Sequence, residues 1–369
     1  MRPVSLLAAL LHAYIGLRLL VPFGPIVQIA GVLLLATSFT LLPRGFRIPD
    51  EKPWRVMASW IVTGFFSWLL VLTLARDLLL VAAAVALPGA LDDEWARLSA
   101  IGVLALTPAI TLVGFFMART VARVVDVEVP VVGLPQALDG FTIAQISDVH
   151  VGPTIKRPFV ERIVERVNRL NADVVAITGD LVDGSVSELA DHTQPLARLA
   201  SRHGTFAVTG NHEYYSGARA WIRELGRLGA RVLVNEHVVI EHEDARVVLA
   251  GVTDYSAHHF DPGHRSDPRA AVRGAPEDAV KVLLAHQPRS APLAAAAGYD
   301  LQLSGHTHGG QFWPWNLFVR LQQPFTAGLV RLGRMSLYIS RGTGYWGPPM
   351  RFGIPSEITR IRLVAARNG

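Results

Sequence analysis

Seven side chains in this sequence combine the types and spacing needed to hold metal ions, and an eighth lies among them. They fall in five short clusters: Asp148-Val149-His150, Gly179-Asp180, Gly210-Asn211-His212-Glu213, His286, and Gly305-His306-Thr307-His308. Carboxylates, imidazoles and one amide, with no thiolate, form a ligand set for two divalent ions that share a carboxylate. Asp148 and His150 have i, i+2 spacing, as do His306 and His308. On an extended chain such residues point to one side, so each pair can face one ion. Asp180 follows a glycine at an expected strand end, where a carboxylate can bridge two ions. Asn211 offers a neutral carbonyl oxygen, which limits the negative charge gathered at the site. Two metals about 3.5–4 Å apart suit phosphoryl transfer, because they clamp phosphate oxygens and lower the pKa of an attacking water. Mn²⁺, Fe and Zn²⁺ all fit these donors. His212, next to a ligand, needs no metal role and is placed to protonate a leaving oxygen or stabilise charge on it.

Each cluster alone says little. Gly-Asp and Gly-Asn are common turn pairs, and a lone Asp or His at a strand end is usually a cap or loop residue. The ordered conjunction carries the reading. The elements that must position it alternate between short apolar runs and amphipathic stretches. Strands are expected at residues 141–147, 173–178, 204–209, 231–234, 238–240, 246–252, 280–285, 300–304, 336–340 and 357–364, and helices at 157–170, 187–201 and 216–228. This is the pattern of α/β layers. Each cluster lies at the carboxyl end of an expected strand, where such sheets gather their sites.

The chain of 369 residues is 50% apolar and only 18% charged, which is charge-poor for a soluble protein. Residues 1–125 carry 10 Lys/Arg and 6 Asp/Glu, and residues 126–369 carry 25 and 24. Most of the net +5 therefore belongs to the apolar third, and no nucleic-acid partner is indicated. With no cysteine, disulfides and thiolate sites are excluded. Four stretches, near residues 4–22, 25–42, 56–75 and 98–117, approach the ~20 apolar residues needed to cross a bilayer. A shorter run, Leu78–Leu91, broken by Pro88-Gly89, is an interfacial or re-entrant segment or an extension of the third helix. Arg18 either snorkels to the interface or serves a polar site. With four spans, Arg2, Arg44, Arg47, Lys52, Arg55, Arg119 and Arg123 share one side, which should be cytoplasmic. The expected organisation is a transmembrane helical region at 1–120, a linker at 121–140 and a catalytic domain at 141–369. The expected location is multi-pass in the inner or cell membrane, with the catalytic domain in the cytoplasm.

The set D-V-H, G-D, G-N-H-E, H and G-H-T-H resembles that of the calcineurin-like metallophosphoesterases over about residues 141–364. Gly305–Gln311 and the late run Gly342–Gly353 are similar to the bacterial membrane-anchored branch. The resemblance implies an α/β sandwich with two central mixed sheets. It implies Asp148, His150, Asp180 and His308 on one metal, and Asp180, Asn211, His286 and His306 on the other. It implies His212 at the leaving group or scissile phosphate, followed by the acidic Glu213.

The expected activity is hydrolysis of a phosphodiester, phosphomonoester or pyrophosphate by a metal-activated water or hydroxide. Tethering favours substrates at the bilayer surface, including lipid-linked ones. The alternative is a membrane sensor or transport module with the phosphoesterase domain as its output. Weaker site candidates are Asp254-Tyr255, His258, His259, His264, Phe312, Trp313, Trp315, Tyr345, Trp346 and Arg341. For most of these, a loop or packing role is the simpler reading.

Overall fold

A computed structural model describes residues 3–46, 52–87 and 92–366. Arg2, Arg47 and the Pro88-Gly89 break lie outside them. The chain divides into two compact units, one of residues 1–119 with 347–352, the other of residues 120–346 with 353–369.

The first unit holds α1 (Pro3–Leu20), α2 (Pro25–Leu41), α3 (Pro53–Ala86) and α4 (Asp93–Arg119). α2 and α3 begin with proline in the first turn, where a missing N–H costs nothing and φ is already set. All four helices are long and apolar enough to cross a membrane. α3, at 34 residues, is about 51 Å long by the 1.5 Å rise. Leu78–Ala86 thus extends the third helix, one of the three alternatives for that run. Ile15, Leu19, Phe66, Leu69, Ala100 and Val103 pack together inside the unit. Arg18 Nε donates to Asp77 Oδ2 at 2.7 Å, and Tyr14 Oη and Arg76 Nη1 also donate to that carboxylate. Met350 packs where Gly64 and Gly114 leave room, and its sulfur accepts from Trp68 Nε1 at 2.9 Å.

The second unit runs β1 (Arg123–Val131), β2 (Thr142–Ile146), α5 (Arg157–Asn168), β3 (Val174–Thr178), α6 (Val186–Thr193), β4 (Thr205–Val208), α7 (Asn211–Tyr215), α8 (Ala218–Arg227), β5 (Ala230–Val232), β6 (Glu236–His242), β7 (Ala245–Gly251), α9 (Pro268–Ala271), β8 (Val280–Leu284), α10 (Ala291–Ala296), β9 (Leu301–Ser304), β10 (Gly328–Leu332), β11 (Met335–Ile339) and β12 (Glu357–Ala365). Two six-stranded mixed sheets form, ordered β1-β12-β2-β3-β4-β5 and β10-β11-β9-β8-β7-β6. Val174 and Ala176 of one sheet and Val247, Leu249, Val282 and Leu303 of the other join one buried cluster, so the main core lies between the sheets. A second cluster places Ala291 and Ala294 of α10 against Leu283, Leu337 and Ile339. α5 buries Phe159, Val160, Ile163, Val164 and Val167, the i, i+3, i+4 stripe of an amphipathic helix.

The expected strands and helices form with ends moved by a few residues, except that the helix expected at 187–201 is α-helical only as far as Thr193 and continues as a 3-10 turn over Gln194–Arg198. The segment read as a linker differs. Its residues 123–131 pair in parallel with the whole of β12, from Arg123 opposite Glu357 to Val131 opposite Ala365. Charges at Arg123, Asp126 and Glu128 suit an edge strand, and its partner lies more than 230 residues away in sequence. No local pattern reports a pairing that distant.

Candidate metal centre

Every expected site residue lies in the second unit, just past a strand. Asp148 follows β2, Asp180 follows β3, Asn211 and His212 follow β4, His286 follows β8, and His306 and His308 follow β9. β2, β3 and β4 are parallel neighbours, as are β8 and β9, so the clusters meet on one rim. Backbone bonds lace the loops together. Asp148 N donates to Gly179 O, His150 N to Asp180 O, and Gly305 N to His286 O, at 2.9–3.2 Å.

Two donor groups result. Asp148, His150 and His308 bring ligand atoms within 4.8 Å of one another, and so do Asp180, His286 and His306. His150 Nε2 lies 3.0 Å from His308 Nε2, and His308 Nε2 lies 3.5 Å from Asp148 Oδ1. In the other group, His286 Nε2 lies 3.0 Å from Asp180 Oδ2 and 3.2 Å from His306 Nδ1. His286 Nδ1 faces Thr178 O at 2.8 Å, which fixes its tautomer and turns Nε2 inward. Asp148, Asp180 and His286 are almost wholly buried, and Asn211 nearly so. Asn211 Oδ1 is buried without a hydrogen-bond partner, although buried amide oxygens are normally satisfied. A cation would satisfy it, so these residues fit a pair of metal ions.

The electrostatics agree. Burial, with Asp180 nearby, raises the Asp148 carboxyl. Burial also opposes the Asp180 charge, but the His286 and His212 imidazoles outweigh it and hold that carboxyl well below its usual range. Burial and the neighbouring His286 push His306 down to about 3, leaving a neutral imidazole, the form that binds metal.

The i, i+2 pairs converge for a reason other than strand alternation. Asp148, His150, Asp180, His306 and His308 all have φ between 50° and 70°. They are left-handed residues in tight loops, not extended ones, and Asp and His tolerate that region better than most. The cluster glycines answer to close packing. A Cβ on Gly305 would collide with Ser147 Oγ and Asp148 Oδ2, and one on Gly210 with Asp180 Oδ1.

Three residues the motif left unassigned organise the site. Asp183 Oδ1 lies 2.6 Å from His212 Nδ1 and 3.0 Å from His150 Nδ1, and these imidazoles help hold its carboxyl at about 2 despite burial. Its signal was its place three residues after Asp180. Glu213 accepts from Gly210 N, Leu181 N and Asp180 N at 2.6–2.9 Å, joining the Asp180 and Asn211 loops. Burial and the adjacent Asp180 raise its carboxyl to about 6. Gly344 N donates to Asp148 O at 3.0 Å, so the late Gly342-Thr343-Gly344 run braces the first loop.

His212 is partly exposed. Its backbone N–H donates to Asp180 Oδ1 at 2.8 Å, and its ring is flanked by Tyr215 and Trp346 at centroid distances of 5.1 and 5.7 Å. Among the weaker candidates, Asp254 is buried and accepts from Gln287 and Ser256, and His264 meets Tyr214. Tyr345 is buried, while Trp313, Trp315 and Trp346 are exposed. Arg341 donates to Glu357 at 2.8 Å, so a carboxylate already engages the phosphate candidate.

An α/β sandwich with a buried carboxylate–imidazole rim defines a metal-site hydrolase architecture. Residues 141–310 match the calcineurin-like phosphoesterase family. The transmembrane protein with metallophosphoesterase domain of Danio rerio is 40% identical over 271 residues, 71% of this chain and 62% of that protein. An uncharacterized metallophosphoesterase of Aquifex aeolicus is 34% identical over 230 residues, 61% of this chain and 86% of that protein. One from Helicobacter pylori is 41% identical over 227 residues, 60% of this chain and 59% of that protein. The chain belongs to the calcineurin-like phosphoesterase family. It matches about three fifths of the length of the zebrafish and Helicobacter relatives, and the likeness extends to vertebrates as well as bacteria.

Proposed function

We propose that this protein is a membrane-anchored phosphoesterase that uses two divalent metal ions to hydrolyse a phosphodiester, phosphomonoester or pyrophosphate. The observation that carries the proposal is the buried, partnerless Asn211 Oδ1 beside two contiguous carboxylate–imidazole groups. Asp148, His150, Asp180 and His308 would hold one ion, and Asp180, Asn211, His286 and His306 the other, with Asp180 shared. Mn²⁺, Fe and Zn²⁺ suit these donors. Bound there, the ions supply Lewis acidity and a water of lowered pKa.

The chain's own groups do the rest. His212 donates a proton to the leaving oxygen as the bond from phosphorus to that oxygen breaks and water's oxygen takes its place. Asp183, 2.6 Å from Nδ1, orients the ring so that Nε2 faces the reaction. Tyr215 and Trp346, flanking His212, wall the open side.

Four apolar helices and the zebrafish relative's printed name support a membrane setting. The basic residues at 44, 52, 55, 119 and 123 favour a cytoplasmic catalytic unit. A substrate at the bilayer surface, a lipid-linked phosphoester included, follows from that tethering.

The test is metal analysis of the full chain purified in detergent, joined to a screen of soluble and lipid phosphoesters. The expected result is about two metal equivalents at the rim and Mn²⁺-supported hydrolysis, lost in Asp180→Ala. Wild-type turnover by both Asp180→Ala and His212→Ala would refute the mechanism. Turnover of soluble nucleotides far above that of any lipid would remove the lipid-linked substrate but leave the reaction standing.

A further inference from the structure

Asp173, His203 and His242 form a second donor group, with ligand atoms within 4.8 Å of one another. It is remote from the rim described above. Asp173 immediately precedes β3, and Asp180 lies two residues beyond its end. Seven residues of near-extended chain separate the two by about 20 Å at roughly 3.3 Å per residue. The group therefore lies at the opposite end of the strands.

The residues come from both sheets. Asp173 and His203 stand at the entries to β3 and β4, and His242 ends β6 in the other sheet. Along β6, Val238, Ile240 and His242 are the buried positions, and the first two belong to the core between the sheets. An imidazole thus occupies a register position where the strand otherwise buries aliphatic side chains. His203 Nε2 and His242 Nδ1 face each other at 3.0 Å. Phe141 packs against both rings, edge-on to His242 at 4.9 Å and stacked near His203 at 6.2 Å.

The carboxylate is oriented. Asp173 Oδ2 accepts from Thr142 N at 2.8 Å and Thr142 Oγ1 at 2.9 Å. Oδ1 meets only a loose contact from Arg202, at 3.9 Å, whose side chain is 56% exposed. A carboxylate with one oxygen held by protein donors and an oxygen within 4.8 Å of ligand atoms on both imidazoles has the support that a metal-binding carboxylate receives.

We propose that Asp173, His203 and His242 bind a third divalent ion, of the zinc class, that clasps the two sheets together. Zinc accepts two imidazoles and a carboxylate and completes a tetrahedron with water. Zn–N bonds of 2.0–2.1 Å at a tetrahedral angle set the two nitrogens about 3.3 Å apart, so the His203–His242 pair needs to open by only a few tenths of an ångström. Solvent reaches the group at its open side, where Asp173 and His203 are only half-buried and His203 also lines a cleft of about 430 Å³. Burial and the neighbouring His242 lower the His203 imidazole's pKa, which favours the neutral, ligating form.

The test loads the full-length protein in detergent with Zn²⁺, desalts it and counts metal per chain by mass spectrometry. Wild type should retain one equivalent more than His203→Gln/His242→Gln and one more than Asp173→Asn. Hydrolysis of bis(p-nitrophenyl) phosphate should stay within about twofold, because the rim is untouched. Equal metal content in wild type and variants overturns the proposal. A measurement on wild type alone guards against misfolded variants. Micromolar Zn²⁺ should protect His203 and His242 from diethylpyrocarbonate several-fold, read peptide by peptide. Labelling of both that is unchanged by zinc overturns the proposal as well.

Discussion

Replacing Gly305 with alanine adds one methyl group where the structure has no room for it. The new Cβ would overlap Ser147 Oγ and Asp148 Oδ2, and it would stand 3.0 Å from Ser147 Cβ. Relief requires a shift of about 1 Å in a loop whose members are buried. Overpacking of this kind costs about 1–3 kcal/mol. Two hydrogen bonds are also disturbed, Ser147 Oγ to Thr178 O at 3.3 Å and His306 N to Asp148 Oδ1 at 2.9 Å, at about 1 kcal/mol each. The sum is about 3–5 kcal/mol, a fall of about 6–20 °C in the unfolding midpoint at roughly 2–4 °C per kcal/mol for a unit of this size. Asp148 and His306 are carried by the shift, and a 1 Å misplacement costs about 10²-fold in rate. Gly226 is the control. It lies in the last turn of α8, exposed, with nothing within 4 Å of an added Cβ, so Gly226→Ala should leave turnover alone and stabilise by about 0.5–1 kcal/mol. The assay pairs thermal unfolding of the full chain in detergent with turnover of bis(p-nitrophenyl) phosphate in Mn²⁺. A Gly305→Ala protein with wild-type midpoint and rate would refute the close-packing account of the rim.

His212→Ala should lower turnover about 10²–10⁴-fold while metal content, measured by mass spectrometry, stays at the wild-type value; loss of metal would instead make His212 a ligand. Asp183→Asn keeps the volume but removes the charge facing His212 Nδ1 and His150 Nδ1, so turnover should fall about 10²-fold with KM little changed, and an unaltered kcat would exclude the positioning role. Dialysis against a chelator should abolish hydrolysis, and Mn²⁺, Fe²⁺ or Zn²⁺ should restore it in proportion to metal bound; full activity in chelated, metal-free protein would rule out the metal route.

The sequence made the rim residues legible because each follows a short apolar run, and a strand's carboxyl end is where a loop residue can face a site. Asp183 was less visible. It reads as one more turn aspartate before Gly184, and its meaning appears only when His150 and His212, from two other loops, reach it. β1 was invisible for a related reason. Val125, Val127, Val129 and Val131 alternate with Asp126, Glu128 and Pro130, and the last three valines reach the core, but Pro130 weakens the pattern and the strand that pairs with it is β12, more than 230 residues on. Asp173, His203 and His242 share no spacing at all, because their proximity is a product of sheet-on-sheet packing. Local pattern reports a residue's own element; it does not report what another layer brings opposite.

The left-handed backbone at Asp148, His150, Asp180, His306 and His308 sharpens this point. The i, i+2 spacing suggested an extended chain, and the loops reach a convergent geometry by a costlier route. At about 1 kcal/mol or more for each non-glycine residue in that region, five such residues cost about 5 kcal/mol, comparable to the net stability of a typical domain. Buried like-charged carboxylates at Asp148 and Asp180 add to that cost. The fold sustains it through bonds from elsewhere: the Glu213 carboxylate across two loops, Gly344 against Asp148, and the Gly305–His286 backbone bond. If these residues hold metal as proposed, side chains braced this way leave little reorganisation to oppose ion binding. The strained backbone, the partnerless Asn211 oxygen and the compensated carboxylates share one explanation under the proposed two-metal function: a rim held in a geometry that suits bound cations.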